Sequence, residues 1–294
     1  MMRKAFGARE PLLNHRTAAV QAARAAGRVL RAHMDGGVSV RYKGPRGVHG
    51  RNLVTNVDRL AQRAILRLIS RRFPGHRILA EETVSRRLAA GAAARSPYRW
   101  LIDPLDGTTN YAHRFPFFCV SIALEYEGRI VLGVVYDPVR RELFLAERGR
   151  GARLNGRPIR VTATPRLDRS LLVTGFSYDS LLSQANNFTH FLNFSLRTRG
   201  VRRTGSAALD LCYVAAGRFD GFWELKLSPW DVAAGGLIVQ EAGGTVTDFL
   251  GRSFAVDARE ILASNGRLHR PLLAVLAHGD SPFRARRRTR TASG

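Results

Sequence analysis

The chain has 294 residues, 45% hydrophobic and 24% charged, so a sizeable core in one large domain or two is within reach. Its formal charge of +24 draws anions, yet only Lys4, Lys43 and Lys226 are lysines, and arginines spread over the whole length reflect coding bias as readily as nucleic-acid binding. Cys119 and Cys212 alone exclude a disulfide framework or structural zinc site, no run of 18 apolar residues predicts a membrane span, and Met1 to Asn14 lacks a signal peptide's apolar core, so a cytoplasmic location is expected.

From about His15 to Met34, Ala18, Ala22, Ala25, Val29 and Leu30 recur among arginines, which predicts an amphipathic helix. Gly36-Gly37 ends it. Val38 to Lys43 reads as a strand and Gly44 to Gly50 as a flexible loop. The spacing of Leu60, Ala61, Ala64, Ile65, Leu68 and Ile69 predicts a second helix with Thr55 or Asn56 as its N-cap. Asp58 then falls in the first turn, where the helix dipole alone accounts for a carboxylate. His76 to Ala80 reads as a strand that delivers Glu81-Glu82, and Val84 to Ser96 as a mobile connection.

Tyr98 to Ile102 predicts a short strand running into Asp103-Pro104-Leu105-Asp106-Gly107-Thr108-Thr109-Asn110. Asp103 can end that strand while Asp106 sits in the turn after it, so that both face one point. Gly107 leaves the following N–H groups open to approach, and Thr108 and Thr109 add hydroxyls at a helix start. Carboxylates for a hard cation beside N–H donors for an anion suit a metal-bridged phosphate. Read alone, the same residues are equally an ordinary turn with capping side chains.

Phe117 to Tyr126, Arg129 to Tyr136 and Glu142 to Ala146 predict an antiparallel meander, joined tightly at Glu127-Gly128 and Asp137-Pro138. Gly149 to Pro158 reads as a hairpin-like loop. A boundary is expected near residue 164, dividing an N-terminal lobe (1–164), which carries most of the candidate ligands, from a C-terminal lobe (165–280). Within the second, Leu171 to Phe176 reads as a strand, Leu181 to Leu196 as a helix and Ser206 to Ala216 as another. Phe219 to Glu224 is a further strand, and Trp230-Asp231 opens a helix from Val232 to Ala242. Thr245 to Thr247 and Glu260 to Ala263 are strands, and a last helix covers about Arg267 to Ala277. The basic stretch Arg284 to Arg290 lies in a tail (281–294) expected to be disordered.

Four acidic segments thus fall at strand ends or helix starts: Asp58, Glu81, Asp103 with Asp106, and Asp231. No His or Cys cluster accompanies them, which favours Mg²⁺ over zinc. Glu81-Glu82-Thr83, Asp103 to Asn110, His113-Arg114-Phe115-Pro116, and Trp230-Asp231-Val232-Ala233-Ala234-Gly235-Gly236 together resemble the inositol monophosphatase family, from about Ala18 to Leu276.

That resemblance implies an α+β fold, a layered αβαβα sandwich of the inositol monophosphatase and fructose-1,6-bisphosphatase type, and phosphomonoester hydrolysis with two or three Mg²⁺ ions per site. Carried over, Glu81, Asp103 and the Leu105 carbonyl hold one metal, and Asp103, Asp106 and Asp231 another. Asp58 orients Thr108, which with Glu81 positions the attacking water. Asp106, Gly107, Thr108, Gly205, Ser206, Ala207 and Asp231 contact substrate, and Glu224 receives sugar-ring hydroxyls. Gly-Thr-Thr-Asn after Asp106, together with Glu224, resembles the type acting on myo-inositol 1-phosphate; histidinol phosphate and fructose 1,6-bisphosphate are the alternatives. The resemblance also implies Li⁺ sensitivity and a homodimer. Asn52 in place of Asp, Ala80 in place of Gly, and a longer Gly44 to Gly50 loop depart from the family pattern. Two rival readings are a metal-dependent nuclease and an accessory protein of RNA or the transcription machinery, since one bacterial relative joins the antitermination complex.

Overall fold

The computed structural model describes residues 11–36, 39–42, 53–83, 96–180 and 183–277. Expectations for Asn52, the Gly44 to Gly50 loop, residues 84–95 and the basic tail lie outside the described residues.

The first helix, α1 (Pro11–His33), buries Ala19, Ala22, Ala23, Ala26 and Leu30, while its arginines stay outside. A short pair, β1 (Val40–Tyr42) and β2 (Leu53–Thr55), leads into α2 (Asn56–Arg72). Thr55 is the N-cap: its hydroxyl accepts the N–H groups of Val57 and Asp58, and Asp58 accepts the Thr55 N–H in return. A seven-stranded sheet follows from β3 (Arg77–Ala80), β4 (Tyr98–Asp106), β5 (Cys119–Tyr126), β6 (Arg129–Asp137), β7 (Glu142–Glu147), β8 (Ala152–Leu154) and β9 (Arg157–Pro158), in that spatial order. The short α3 (Thr108–Ala112) sits between β4 and β5. Only the β3 to β4 pairing in this sheet is parallel, and the remainder is the expected meander.

The second sheet is built from β10 (Leu171–Thr174), β11 (Gly200–Arg202), β12 (Gly221–Leu225), β13 (Thr245–Thr247) and β14 (Glu260–Ser264), ordered β11-β10-β12-β14-β13. Its helices are α4 (Phe188–Ser195), α5 (Ala207–Ala215), α6 (Pro229–Glu241) and α7 (His269–Ala277). The helix expected from Leu181 starts only at Phe188. Upstream, Asn187 Nδ2 donates to Thr174 Oγ1 and the Gly175 carbonyl, and Asn186 Nδ2 donates to the Ser183 carbonyl, so side chains compete there with helical pairing.

Alternation along the strands sorts the layers. Trp100, Ile102, Val120, Ile122 and Leu124 face α1 and α2, whereas Leu101, Cys119, Ala123, Phe144 and Ala146 face α5 and α6. Val173, Phe222 and Ala263 close on α5 and α6 from the other side, while Leu172, Trp223 and Leu262 meet Phe194 of α4 and Leu272 of α7. The order is helices, sheet, helices, sheet, helices: an αβαβα sandwich. Its middle layer is held tightly. A Cβ on Gly133 would lie 2.7 Å from the Ala234 carbonyl oxygen, and one on Gly235 would lie 2.6 Å from Leu211 Cβ.

Candidate functional site

Strand β4 does not stop at Asp103 as expected but continues through Asp106. Pro104 has no N–H for the ladder, and the pairing slips there: Asp103 opposes Ser121 while Asp106 opposes Cys119, so three steps on β4 match two on β5. The slip changes parity. Leu101 and Asp103 look toward α6, Ile102 and Leu105 toward α2, and without the extra residue Asp106 would have turned toward α2 as well. The bulge therefore brings both aspartates to one side.

Each carboxylate is held separately. The Leu105 N–H donates to Asp103 Oδ1 at 2.9 Å, and Asp106 Oδ2 accepts from Ser206 Oγ and from the Ala208 N–H, both at 2.7 Å. Asp231 lies in the first turn of α6, where its Oδ2 accepts the Ser228 N–H at 2.8 Å. Ser121 Oγ donates to the Trp230 carbonyl, tying that turn to β5. Glu81 opens the 3-10 turn after β3. Gly107, at φ 96°, caps α3 in the left-handed region, where a Cβ would crowd the Phe117 carbonyl at 3.0 Å.

These residues line one cavity of about 620 Å³ between the layers. Its walls include Glu81, Asp103, Leu105, Asp106, Gly107, Thr108, Gly205, Ser206, Ala207, Glu224 and Asp231, so every expected site residue except Asp58 reaches it. Asp58 stands behind the wall, fully buried, its Oδ1 3.2 Å from Thr108 Oγ1; the same hydroxyl lies 3.0 Å from the Leu105 carbonyl. Asn110 Nδ2 bridges the Phe117 and Thr204 carbonyls, which joins α3 to the turn before α5.

Burial dominates the electrostatics. It pushes Asp58 up to about 6 against the opposing Thr55 hydrogen bonds, and Asp106 up to about 6 against those from Ser206 and Ala208. Burial, then repulsion from Glu81, Asp106 and Asp231, holds Asp103 well above the usual carboxylate range, and burial, then repulsion from Asp106 and Glu81, does the same to Asp231. Burial, then Asp231 and Asp106, raise Glu224 to about 8. Among the described residues no three acidic, His or Cys side chains already stand as a metal-binding cluster. Asp106 spends Oδ2 on protein donors. The donor set facing the cavity is nonetheless oxygen throughout, and a divalent cation relieves repulsion of this kind, so the residues fit Mg²⁺.

Sequence reasoning missed several neighbours. Asp210, buried and hydrogen-bonded by Thr204, lines the cavity, as do Tyr178, Arg203, Lys226 and Arg259. Gly175 was missed too: a Cβ there would lie 2.2 Å from Glu224 Oε1, so the glycine makes room for that carboxyl. None sits in a run with a recognisable pattern, and the helical spacing of Asp210 within an apolar α5 signals core rather than site.

Comparison with known proteins agrees with this architecture. The inositol monophosphatase family matches residues 12–279. A protein of Synechocystis sp. named inositol-1-monophosphatase is 49% identical over 226 residues, 77% of each chain. The Nus factor SuhB of Pseudomonas aeruginosa is 44% identical over 273 residues, 91% of this chain and 96% of that one. The solved inositol monophosphatase from Anabaena (Nostoc) sp. PCC 7120 superposes with a TM-score of 0.82 at 43% identity, covering 93% of this chain and 99% of that one. With the sandwich, the acidic cavity and a family match over nearly its whole length, the chain belongs to the inositol monophosphatase family.

Proposed function

We propose that the chain is a Mg²⁺-dependent phosphomonoesterase of the cytoplasm that hydrolyses a small sugar-alcohol phosphate, myo-inositol 1-phosphate foremost. The observation that carries this reading is the convergence of Glu81, Asp103, Asp106 and Asp231 on one cavity beside Thr108 and the buried Asp58. Glu81, Asp103 and the Leu105 carbonyl would hold one ion, and Asp103, Asp106 and Asp231 a second. Bound there, Mg²⁺ supplies positive charge to phosphate oxygens and lowers the pKa of a coordinated water.

The chain's own groups do the rest. Asp58 accepts from the Thr108 hydroxyl, which leaves the Thr108 oxygen lone pairs to accept a hydrogen bond from, and so orient, a water held between Thr108 and Glu81, and the Glu81 carboxylate takes the proton that water loses as it attacks. The N–H groups of Gly107 to Thr109, at the start of α3, steady the equatorial phosphate oxygens. Gly205, Ser206 and Ala207 form the floor under the alcohol, with Glu224 to receive ring hydroxyls; without a cation, burial and then Asp231 and Asp106 hold its carboxyl up at about 8. Water attacks in line with the leaving alkoxide, and no covalent intermediate is required.

Phosphate release from myo-inositol 1-phosphate, histidinol phosphate and fructose 1,6-bisphosphate, with Mg²⁺ titrated and Li⁺ added, tests the reading. Turnover should be fastest with the inositol ester, vanish without Mg²⁺ and fall with Li⁺; much faster turnover of either other ester would reassign the substrate. Light scattering tests the expected homodimer. A second reading is supported by the SuhB relatives, named as Nus factors: an accessory role in a transcription complex. No Mg²⁺-dependent turnover of any ester would leave that role as the better account.

A further inference from the structure

The arginines are not evenly placed once the layers are known. The exposed side of α2 carries Arg59, Arg63, Arg67 and Arg71 at every fourth residue, and that of the neighbouring α1 carries Arg24 and Arg28. Steps of four residues advance about 6 Å along a helix, so the α2 row extends over about 18 Å. Neither helix has an acidic residue to offset it except Asp58, which is buried and turned inward. Among the described residues none of these six guanidinium groups is in an ion pair. At one end of the row Arg59 and Arg63 meet Arg41 of β1 around a recess of about 300 Å³, also lined by Ser39, Thr55 and Asn56. The opposite outer layer is different: α4 has no charged residue and α7 only Arg270. Uniform enrichment does not explain that asymmetry.

We propose that the outer face of α1 and α2 binds the phosphodiester backbone of a nucleic-acid duplex, independently of base sequence, with the Arg41, Arg59 and Arg63 recess seating one phosphate. Guanidinium groups match phosphate oxygens in pairs, and a row of single sign tracks a row of phosphates. A single strand fits less well, because the large exposed apolar side chains on these helices are Leu13 and Leu68, with no aromatic ring for bases to stack on. A membrane surface fits less well for the same reason: among the described residues α1 and α2 expose no aromatic anchor, and they turn their apolar sides into the core. This inference does not depend on what the cavity hydrolyses.

Fluorescence anisotropy with mixed-sequence duplexes of about 20 base pairs, as DNA and as RNA, measures it on the full chain between about 50 and 200 mM salt. Both duplexes should bind, with log K falling against log salt at a slope of about −3.6 or steeper for four or more phosphate contacts. Replacing Arg59, Arg63, Arg67 and Arg71 with Gln should weaken binding more than about tenfold and reduce the slope by about one for each residue. The four Arg→Lys changes should keep most of the affinity, which guards against a Gln variant that is merely misfolded. A charge-matched control with Arg141, Arg153, Arg157 and Arg169 changed to Gln should bind as the parent does. Equal loss in that control, tighter binding to single strands, or binding to phosphatidylserine vesicles with none to duplex would each overturn the proposal.

Discussion

Asp231 has two duties, and they separate by mutation. Its Oδ2 caps α6 through the Ser228 N–H, while its carboxyl faces Asp106 and Glu81, whose charges repel it. Asn in its place keeps the size and an acceptor for the cap but removes the charge. The expected result is a loss of Mg²⁺-dependent phosphate release of at least about a hundredfold, with a Tm in EDTA unchanged or higher because a repulsion has gone. Glu224 offers a sharper thermodynamic check. Its folded pKa is raised from 4.5 to about 8, so between those values the folded state holds a proton the unfolded state has lost, and stability falls as pH rises through that window. Glu224→Gln should therefore raise the metal-free Tm near pH 8 and change it little near pH 4.5; an equal shift at both would contradict the assignment. Asp103, Asp106 and Asp231 were visible in the sequence because each stands in a dense run of unusual residues. Asp210 and Gly175 were not, because their importance lies in what they touch across the fold.

Helices α1, α2, α5, α6 and α7 were foreseeable from periodicity and end signals, and the meander from its tight turns. Strands β2 and β11 were not: each exists because a partner, β1 or β10, supplies its hydrogen bonds. The continuation of β4 through Pro104 was likewise hidden, since a proline between two aspartates reads locally as a stop. What decided the outcome was β5, whose Ser121 and Cys119 accept the slipped register. The contact of β6 with α6 is a further case where spacing alone says nothing. Gly133→Ala would drive a methyl group into the Ala234 backbone, which cannot swing aside as a side chain could. A loss of about 2 kcal/mol in urea unfolding is expected, with the midpoint moved and the slope kept. Full stability in that variant would mean that α6 is free to shift.

For the molecule as a whole, burial of so many carboxyl groups sets a pH dependence opposite to that of ordinary surface acids. Asp58 and Asp106, raised from 3.8 to about 6, hold protons in the folded state that the unfolded chain has released, so the metal-free protein loses stability as pH rises between those values. If Mg²⁺ is held by these groups as proposed, it binds them deprotonated, and the Tm gain on adding it should be larger near pH 7.5 than near pH 5. A gain of the same size at both would count against a carboxylate site. No helix among the described residues is long and apolar enough to cross a membrane. The middle helices bear most on what this protein can become. Because α6 carries Asp231 from between two sheets while Asp103 and Asp106 ride on a strand of one of them, no fragment of the chain owns a rudimentary version of the catalyst. On the proposed function, hydrolysis can begin only when the last layer closes, and phosphate release would serve as a clock for that closure during refolding.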